Sequence, residues 1–224
     1  MLRFTEEEHK LVTDAVAKAE ALSDAEVVTI IAQRSAAYHD VALHYAVLAM
    51  LLVPAALAAV SQTFVDRLTA FLLGWNAELT RGFLMLFLFA ALALMFLIVR
   101  LALAWTPLRM ALTPASTKSR RVARRALQLF RASAERKTHG RTGVLLYLSL
   151  LERRAEIVAD EAIHSKVDPE EWGEAMALLI DRVKDGRPGE GMALAVEKIG
   201  EVCATCLPKS LDDPNQLQDR LIEL

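Results

Sequence analysis

Two long apolar segments constrain this chain more than any other feature. Residues 41–60 (VALHYAVLAMLLVPAALAAV) and 82–99 (GFLMLFLFAALALMFLIV) contain no Asp, Glu, Lys or Arg. A helix that rises about 1.5 Å per residue needs about 20 such residues to cross a hydrocarbon core about 30 Å thick. The second segment reaches this length with residues 101–105, because Arg100 can extend its guanidinium to the lipid headgroups. The alternative is a pair of helices buried in a large soluble core, but the pattern favours a transmembrane hairpin.

The distribution of basic residues predicts the orientation of this hairpin. Residues 61–81 carry two arginines and two acidic residues, whereas residues 100–141 carry eleven basic residues and one acidic residue, a net charge of +10. We therefore expect a multi-pass protein of the cell membrane, with residues 61–81 outside and both termini in the cytoplasm. The implied domains are an N-terminal helix and strand (1–40), the hairpin (41–105) and the rest of a cytoplasmic domain (106–224).

The formal net charge of −2 conceals a strong separation of charge. Residues 1–40 hold four basic and eight acidic residues (net −4), and residues 142–224 hold nine and seventeen (net −8). A nucleic-acid-binding protein would not have this distribution, so no nucleic-acid partner is expected. The basic stretch between them either signals topology alone or contacts anionic lipid, at about 1 kcal/mol per basic residue. The residues that would contact lipid are Arg109, Lys118, Arg120, Arg121, Arg124 and Arg125.

The remaining segments predict both helices and strands. Helices are predicted over residues 5–22, 116–137, 169–184 and 190–206, and strands over residues 26–32, 143–150 and 154–159, with a turn at 138–141. Thr5 and Glu8 have the spacing of a capping box. The first helix is expected to bury one apolar face formed by Leu11, Val12, Ala15, Val16 and Ala19.

Neither soluble segment is expected to fold alone. Residues 1–40 supply one helix and one strand, too little to bury a core. We therefore predict one α+β domain, a small mixed sheet of at least three strands flanked by helices, with the transmembrane hairpin inserted into it. Both faces of the strand Glu26–Ala32 (EVVTIIA) are largely apolar, so we expect this strand to pair with the sheet that contains residues 143–150.

At the level of motifs, the chain resembles the membrane-associated bacterial branch of the TPM domain family. The likeness rests on residues 125–127 (RAL), Phe130, Thr138 and residues 140–154 (GRTGVLLYLSLLERR), and it continues through residues 157–160 (IVAD), Trp172, residues 191–200 and residues 215–219 (NQLQD). The resemblance implies a bacterial inner-membrane protein. Members of the family include thylakoid-lumen proteins linked to photosystem II repair, with reported acid phosphatase activity, and animal receptor-modulating membrane proteins, so one fold serves several functions.

Two functions follow from this resemblance. The favoured one is a membrane-anchored module, with no cofactor, that binds a protein or maintains a complex at the cytoplasmic face of the membrane. The alternative is a weak metal-dependent hydrolase similar to an acid phosphatase, which would need a divalent ion such as Ca²⁺ or Mg²⁺. Its candidate catalytic groups are Glu152, Asp160 and Glu161, which are predicted to approach one another near a sheet edge.

The sequence lacks the other common catalytic motifs. No Gly-rich phosphate loop, His-Glu-x-x-His helix or Gly-x-Ser-x-Gly elbow is present. Cys203 and Cys206 have the Cys-x-x-Cys spacing of a redox pair or of half a zinc site. They lie near a predicted helix C-terminus, however, where the helix dipole opposes thiolate formation. This position favours small residues that pack in the core.

Overall fold

The computed structural model describes residues 4–73, 80–133, 142–210 and 221–224. The predicted turn at residues 138–141 and the family-like segment 215–219 lie outside the described residues. The helices are α1 (Glu6–Leu22), α2 (His39–Ala59), α3 (Gln62–Leu73), α4 (Arg81–Ala102), α5 (Thr106–Leu112), α6 (Ala115–Ser133), α7 (Glu161–His164), α8 (Pro169–Lys184) and α9 (Pro188–Cys206). The strands are β1 (Glu26–Ala32), β2 (Gly143–Ser149), β3 (Arg154–Ala159) and β4 (Ile222–Glu223).

These elements form two compact units. Unit 1 comprises residues 1–36 and 115–224, and unit 2 comprises residues 37–114. Unit 2 is thus an insertion in the sequence of unit 1, between β1 and α6. The domain ranges expected from the sequence, with boundaries after residues 40 and 105, stay predictions.

Unit 1 is built around a four-stranded mixed sheet in the order β3-β2-β1-β4. β1 runs parallel to β2, with Val28 opposite Leu145, and β3 runs antiparallel to β2. Every residue of β1 and β2 is buried, as their apolar composition requires. The predicted α+β class and the pairing of β1 with β2 are confirmed.

Helices cover both faces of this sheet. On one face, Val27 and Val144 pack in a cluster with residues of α1, α8 and α9; on the other, Val28 and Tyr147 pack with residues of α6. The α6 residues that fill this second cluster are Val122, Ala126 and Phe130, which recur every four positions and so share one side of the helix. The charged residues of α6 therefore lie on the sides of the helix that do not face the sheet.

The N-terminal helix begins as the sequence predicts. The Thr5 hydroxyl oxygen accepts a hydrogen bond from the Glu8 backbone N–H at 3.2 Å, and the Glu8 carboxylate accepts one from the Thr5 N–H at 2.9 Å. This capping box satisfies two N–H groups that lack helical partners. The prediction for Leu11 was wrong, because this side chain is 42% exposed and the buried stripe begins at Val12.

The helices α1 and α9 approach each other closely at a glycine. A Cβ atom built on Gly200 would lie 2.6 Å from the Ala19 Cβ and 2.8 Å from the Ala19 Cα. Both distances are shorter than a van der Waals contact between carbon atoms. The two helix backbones can therefore pack at this spacing only because residue 200 has no side chain.

Unit 2 contains two helices that are long and apolar enough to cross a membrane. These are α2, with 21 residues, and α4, with 22 residues, and they pack against each other. In the most apolar 18-residue stretch of each helix, only 17% of the α2 residues and none of the α4 residues are buried. The Tyr45 hydroxyl donates a hydrogen bond to the Leu112 carbonyl oxygen at 3.0 Å, which joins α2 to α5.

Candidate functional site

A buried chain of polar contacts lies where β1 and β2 end. Ser35, three residues after β1, has its hydroxyl oxygen 3.0 Å from the hydroxyl oxygen of Tyr147 on β2. The Ser35 backbone N–H donates to Glu152 Oε1 at 2.8 Å, and the Ser149 hydroxyl donates to Glu152 Oε2. Tyr147, Ser149 and Glu152 are each at most 5% exposed. These hydrogen bonds compensate for burial of the polar groups and fix the position of Ser35.

The turn between β2 and β3 places Glu152 in this network. The backbone N–H groups of Leu150 and Leu151 donate to the carbonyl oxygens of Ala32 and Gln33 at 3.0 Å each, so the turn is held against the end of β1. Arg153 completes the turn with a φ of +49°, in the left-handed region that few non-glycine residues adopt. The turn thus directs Glu152 toward the Ser35 backbone.

The electrostatics of the network keep Tyr147 protonated. Burial raises the pKa of Tyr147, and the negative charge of Glu152 acts in the same direction. The Ser35 hydrogen bond and the positive charge of Arg125 oppose this shift, but burial has the largest effect on the pKa. Tyr147 therefore acts as a neutral hydrogen-bonding group and not as a phenolate nucleophile.

Arginines of α6 lie beside this network. They form one wall of an open groove of about 250 Å³ within unit 1. The residues that line the groove are Ser35, Ala36, Arg121, Arg124, Arg125 and Gln128. Arg121 and Gln128 each lie three or four positions from both Arg124 and Arg125, so these residues occupy one side of the helix. This set of residues is named the arginine groove below.

The six basic residues that the sequence grouped together have different environments. Arg121, Arg124 and Arg125 line the arginine groove, whereas Arg120 on the same helix is exposed and Lys118 is half-buried. Arg109 belongs to unit 2 and is only 4% exposed. Its guanidinium donates to the Thr106 hydroxyl at 3.4 Å. The expectation that Arg109 contacts anionic lipid stays a prediction.

The structure does not bring the three candidate carboxylates together. Glu152 lies in the turn after β2, but Asp160 lies at the far end of the β2–β3 hairpin, where its Oδ2 accepts the Gly143 backbone N–H at 3.0 Å. Six steps along β2 separate these ends by about 20 Å. Glu161 is exposed and begins the short helix α7. Asp160 thus holds the start of β2 to the end of β3, and its catalytic role stays a prediction.

The described residues offer no ligand set for a divalent ion. In residues 4–73, 80–133, 142–210 and 221–224, no group of three or more His, Cys, Asp or Glu side chains comes together. Both Glu152 oxygens already accept hydrogen bonds, and Asp160 Oδ2 does the same. The hydrolase alternative and its divalent ion stay predictions.

The two cysteines lie near the end of α9, as the sequence predicts. Cys203 is fully buried in the cluster beneath the sheet, and its burial raises the thiol pKa to about 12. Cys206 is half-buried, and its thiol donates to the Lys166 carbonyl oxygen at 3.6 Å. A thiol with so high a pKa is a poor nucleophile, which agrees with a packing role for Cys203.

Sequence reasoning missed Ser35, Tyr147 and Gln128 as members of the site. One signal was available, because Tyr147 and Ser149 are polar residues two positions apart in an otherwise apolar strand and so lie on the same face. Ser35 has no comparable signal, since only the parallel pairing of β1 with β2 brings it beside Tyr147.

Comparison with known proteins relates part of the chain to one domain family. Residues 107–202 match the family model of the TPM domain. The fold is similar to the NMR structure of the BA42 protein from the psychrophilic bacterium Bizionia argentinensis, with a TM-score of 0.56 and 16% sequence identity over 100% of this chain and 97% of that chain. At this identity the likeness concerns the fold alone. No curated protein matches the chain. The resemblance to the TPM domain family is confirmed over residues 107–202, and the membrane-associated branch stays a prediction.

Proposed function

We propose that this protein is a membrane-anchored TPM module that binds a protein partner at the cytoplasmic face of the membrane. The observation that carries the anchoring is the exposure of α2 and α4. Helices of this apolarity in a soluble core would be covered on all sides, but none of the most apolar stretch of α4 is buried. At about 1.5 Å per residue, α2 and α4 are each about 30 Å long, the thickness of a hydrocarbon core.

The polar groups of unit 2 support the same proposal. His39 and His44 lie in the first turns of α2, and Arg100 lies in the last turn of α4. The His44 ring nitrogen Nδ1 is 2.6 Å from the Asp40 carbonyl oxygen, so its polar atom is satisfied within its own helix. Polar residues near the ends of an apolar helix suit the headgroup region, whereas its centre requires apolar residues. The excess of basic residues from Arg100 onward favours the cytoplasm for the segment that follows α4.

Membrane extraction tests the anchor. The full chain should remain in the membrane pellet after an alkaline carbonate wash, whereas a variant in which a Gly/Ser linker replaces residues 37–114 should be released. Release of the full chain by carbonate would contradict the proposal.

Cysteine labelling tests the orientation. In a Cys203→Ala/Cys206→Ala background, Ser61→Cys should react with a membrane-impermeant maleimide in intact spheroplasts. Ser116→Cys should react only after permeabilisation. Both serines are exposed in the structure, so accessibility differs between them only through the membrane. The opposite labelling pattern would show that the predicted topology is inverted.

A second groove in unit 1 supports partner binding. It lies between β3 and α8, has a volume of about 540 Å³, and is lined by both apolar and basic residues. The apolar lining residues are Leu148, Leu150, Ala155, Ile180 and Val183, and the basic ones are Arg153, Arg154 and Lys184. β3 is also an edge strand of the described sheet, so its outer backbone groups can accept an added segment. This combination suits a partner segment with apolar and acidic side chains.

Site-specific photocrosslinking tests this groove. A photoreactive residue at Ile180 should form a crosslink to one membrane or cytoplasmic protein, and Arg153→Gln/Arg154→Gln should reduce its yield. The matched control is Leu127, which has similar exposure on α6 but lies outside the groove. Equal crosslinking from Ile180 and Leu127 would show that the β3–α8 groove is not the binding surface.

A further inference from the structure

The arginine groove concentrates positive charge without acidic neighbours on its own helix. The sequence of α6 (ASTKSRRVARRALQLFRAS) contains no Asp or Glu, so no carboxylate three or four residues away can neutralise its arginines. Among the described residues, Arg124 and Arg125 have no carboxylate within ion-pair distance. The mutual repulsion of these two adjacent arginines makes an anion in this groove favourable.

A hydroxyl donor also reaches the groove. Ser35 lines it, and the Ser35 hydroxyl oxygen is 3.0 Å from the Tyr147 hydroxyl. Because Tyr147 keeps its proton, it can donate this hydrogen bond to Ser35. The Ser35 hydrogen is then available to a ligand in the groove. Glu152 offsets part of the positive charge, but it is 5% exposed and its two oxygens accept hydrogen bonds from Ser35 and Ser149.

We infer that the arginine groove binds a phosphate group, with Arg121, Arg124 and Arg125 as charged donors and Ser35 as a neutral donor. Guanidinium groups bind phosphate through paired N–H donors, and the several oxygens of one phosphate can accept from more than one arginine. The volume of about 250 Å³ accommodates one such group, and the groove is open, so a substituent on the phosphate can extend into solvent. This site lies wholly within unit 1 and does not depend on the partner groove between β3 and α8.

Two sources can supply this chemistry, a soluble phosphate compound or the headgroup of an anionic phospholipid. The first test uses inorganic phosphate, titrated calorimetrically into the full chain in a neutral detergent. The second uses the full chain in nanodiscs of phosphatidylcholine, with and without one lipid in five replaced by phosphatidylglycerol, and measures hydrogen exchange of the α6 amides. The phosphate test requires no membrane, so it can succeed or fail independently of the proposed anchoring.

Two charge-matched variants distinguish a site from diffuse attraction. Arg124→Gln/Arg125→Gln removes two charges from the groove, and Lys118→Gln/Arg120→Gln removes two charges from the same helix outside it. Circular dichroism confirms that both variants fold. We expect the groove variant to bind phosphate at least about tenfold more weakly, or to lose the protection from hydrogen exchange that phosphatidylglycerol gives to α6. The control variant should change the phosphate affinity and this protection by less than about twofold.

The outcomes separate the sources and the failure of the inference. If the groove variant but not the control loses affinity for inorganic phosphate, the site is assigned to soluble phosphate compounds. If the groove variant but not the control loses protection only in the nanodisc experiment, the site is assigned to a lipid headgroup. Equal losses in the two variants would show that the net charge of α6 is responsible. That result, or the absence of any phosphate or phosphatidylglycerol effect, would overturn the inference.

Discussion

Replacing Gly200 by alanine tests whether α1 and α9 pack as closely as the structure requires. The added Cβ would lie 2.8 Å from the Ala19 Cα, a backbone atom that no change of rotamer can move. One helix would have to shift, and overpacking of this kind costs about 1–3 kcal/mol. Alanine also stabilises a helix by about 1 kcal/mol relative to glycine, which opposes that cost. The effect of Gly200→Ala alone therefore combines two terms of opposite sign.

Gly173→Ala supplies the control that separates these terms. Gly173 lies within α8, and a Cβ built there has no other atom within 4 Å. This variant should gain the helix propensity without a clash, so the difference between the two variants isolates the packing cost. A difference of about 1–3 kcal/mol corresponds to roughly 3–9 °C in melting temperature for a domain of this size.

The measurement is thermal unfolding of the full chain in neutral detergent, followed by circular dichroism. Gly200→Ala should melt below Gly173→Ala, and adding Ala19→Gly to it should recover part of the loss because the 2.6 Å contact between Cβ atoms disappears. If Gly200→Ala melts at or above Gly173→Ala, the close packing of α1 on α9 is refuted.

Three further outcomes follow from unit 1. A fusion of residues 1–35 to residues 117–224 should fold as a soluble monomer. Residues 117–224 alone lack β1 and α1, so this fragment should expose apolar surface and melt at a lower temperature. Equal thermal stability of the fusion and the fragment would contradict this. Cys203, with a pKa near 12, should react with a thiol reagent at mildly alkaline pH much more slowly than Cys206, and similar rates in single-cysteine variants would show that it is accessible. Burial raises the pKa of Glu156, so its protonated form stabilises the fold and this stability is lost as pH rises through the folded pKa. Glu156→Gln should therefore raise the melting temperature more at neutral pH than near about pH 4, and an equal shift at both would rule out this cause.

The sheet and its covering helices were largely predictable from local patterns. β1 has apolar residues on both faces, a pattern that only a central, covered strand can satisfy, and β2 has the same pattern. The helix α8 begins at Pro169 and ends at Lys184 as predicted, because proline in the first turn and the Asp185-Gly186 break both mark boundaries. In contrast, β4 is two residues long, too short for any periodicity.

The site could not be derived to the same extent, because its contacts join distant parts of the chain. Ser35 and Tyr147 are separated by 112 positions, and no local pattern pairs them. The distance between Glu152 and Asp160 could have been estimated, however. The prediction placed them at the two ends of β3, and strands of that length separate their ends widely. The helix α3 was also missed, within a segment predicted only as a connection between two spans.

The parallel pairing of β1 with β2 has a consequence for synthesis of the chain. The ribosome completes β1 at Ala32, but its partner does not begin until Gly143, so 110 residues separate them. At about 5–20 residues per second, this interval lasts roughly 6–22 seconds. Throughout it, a largely apolar strand has no partner, while the most apolar segments of the chain leave the ribosome. Chaperone occupancy of nascent chains should therefore begin after residue 32 and end only once β2 has emerged.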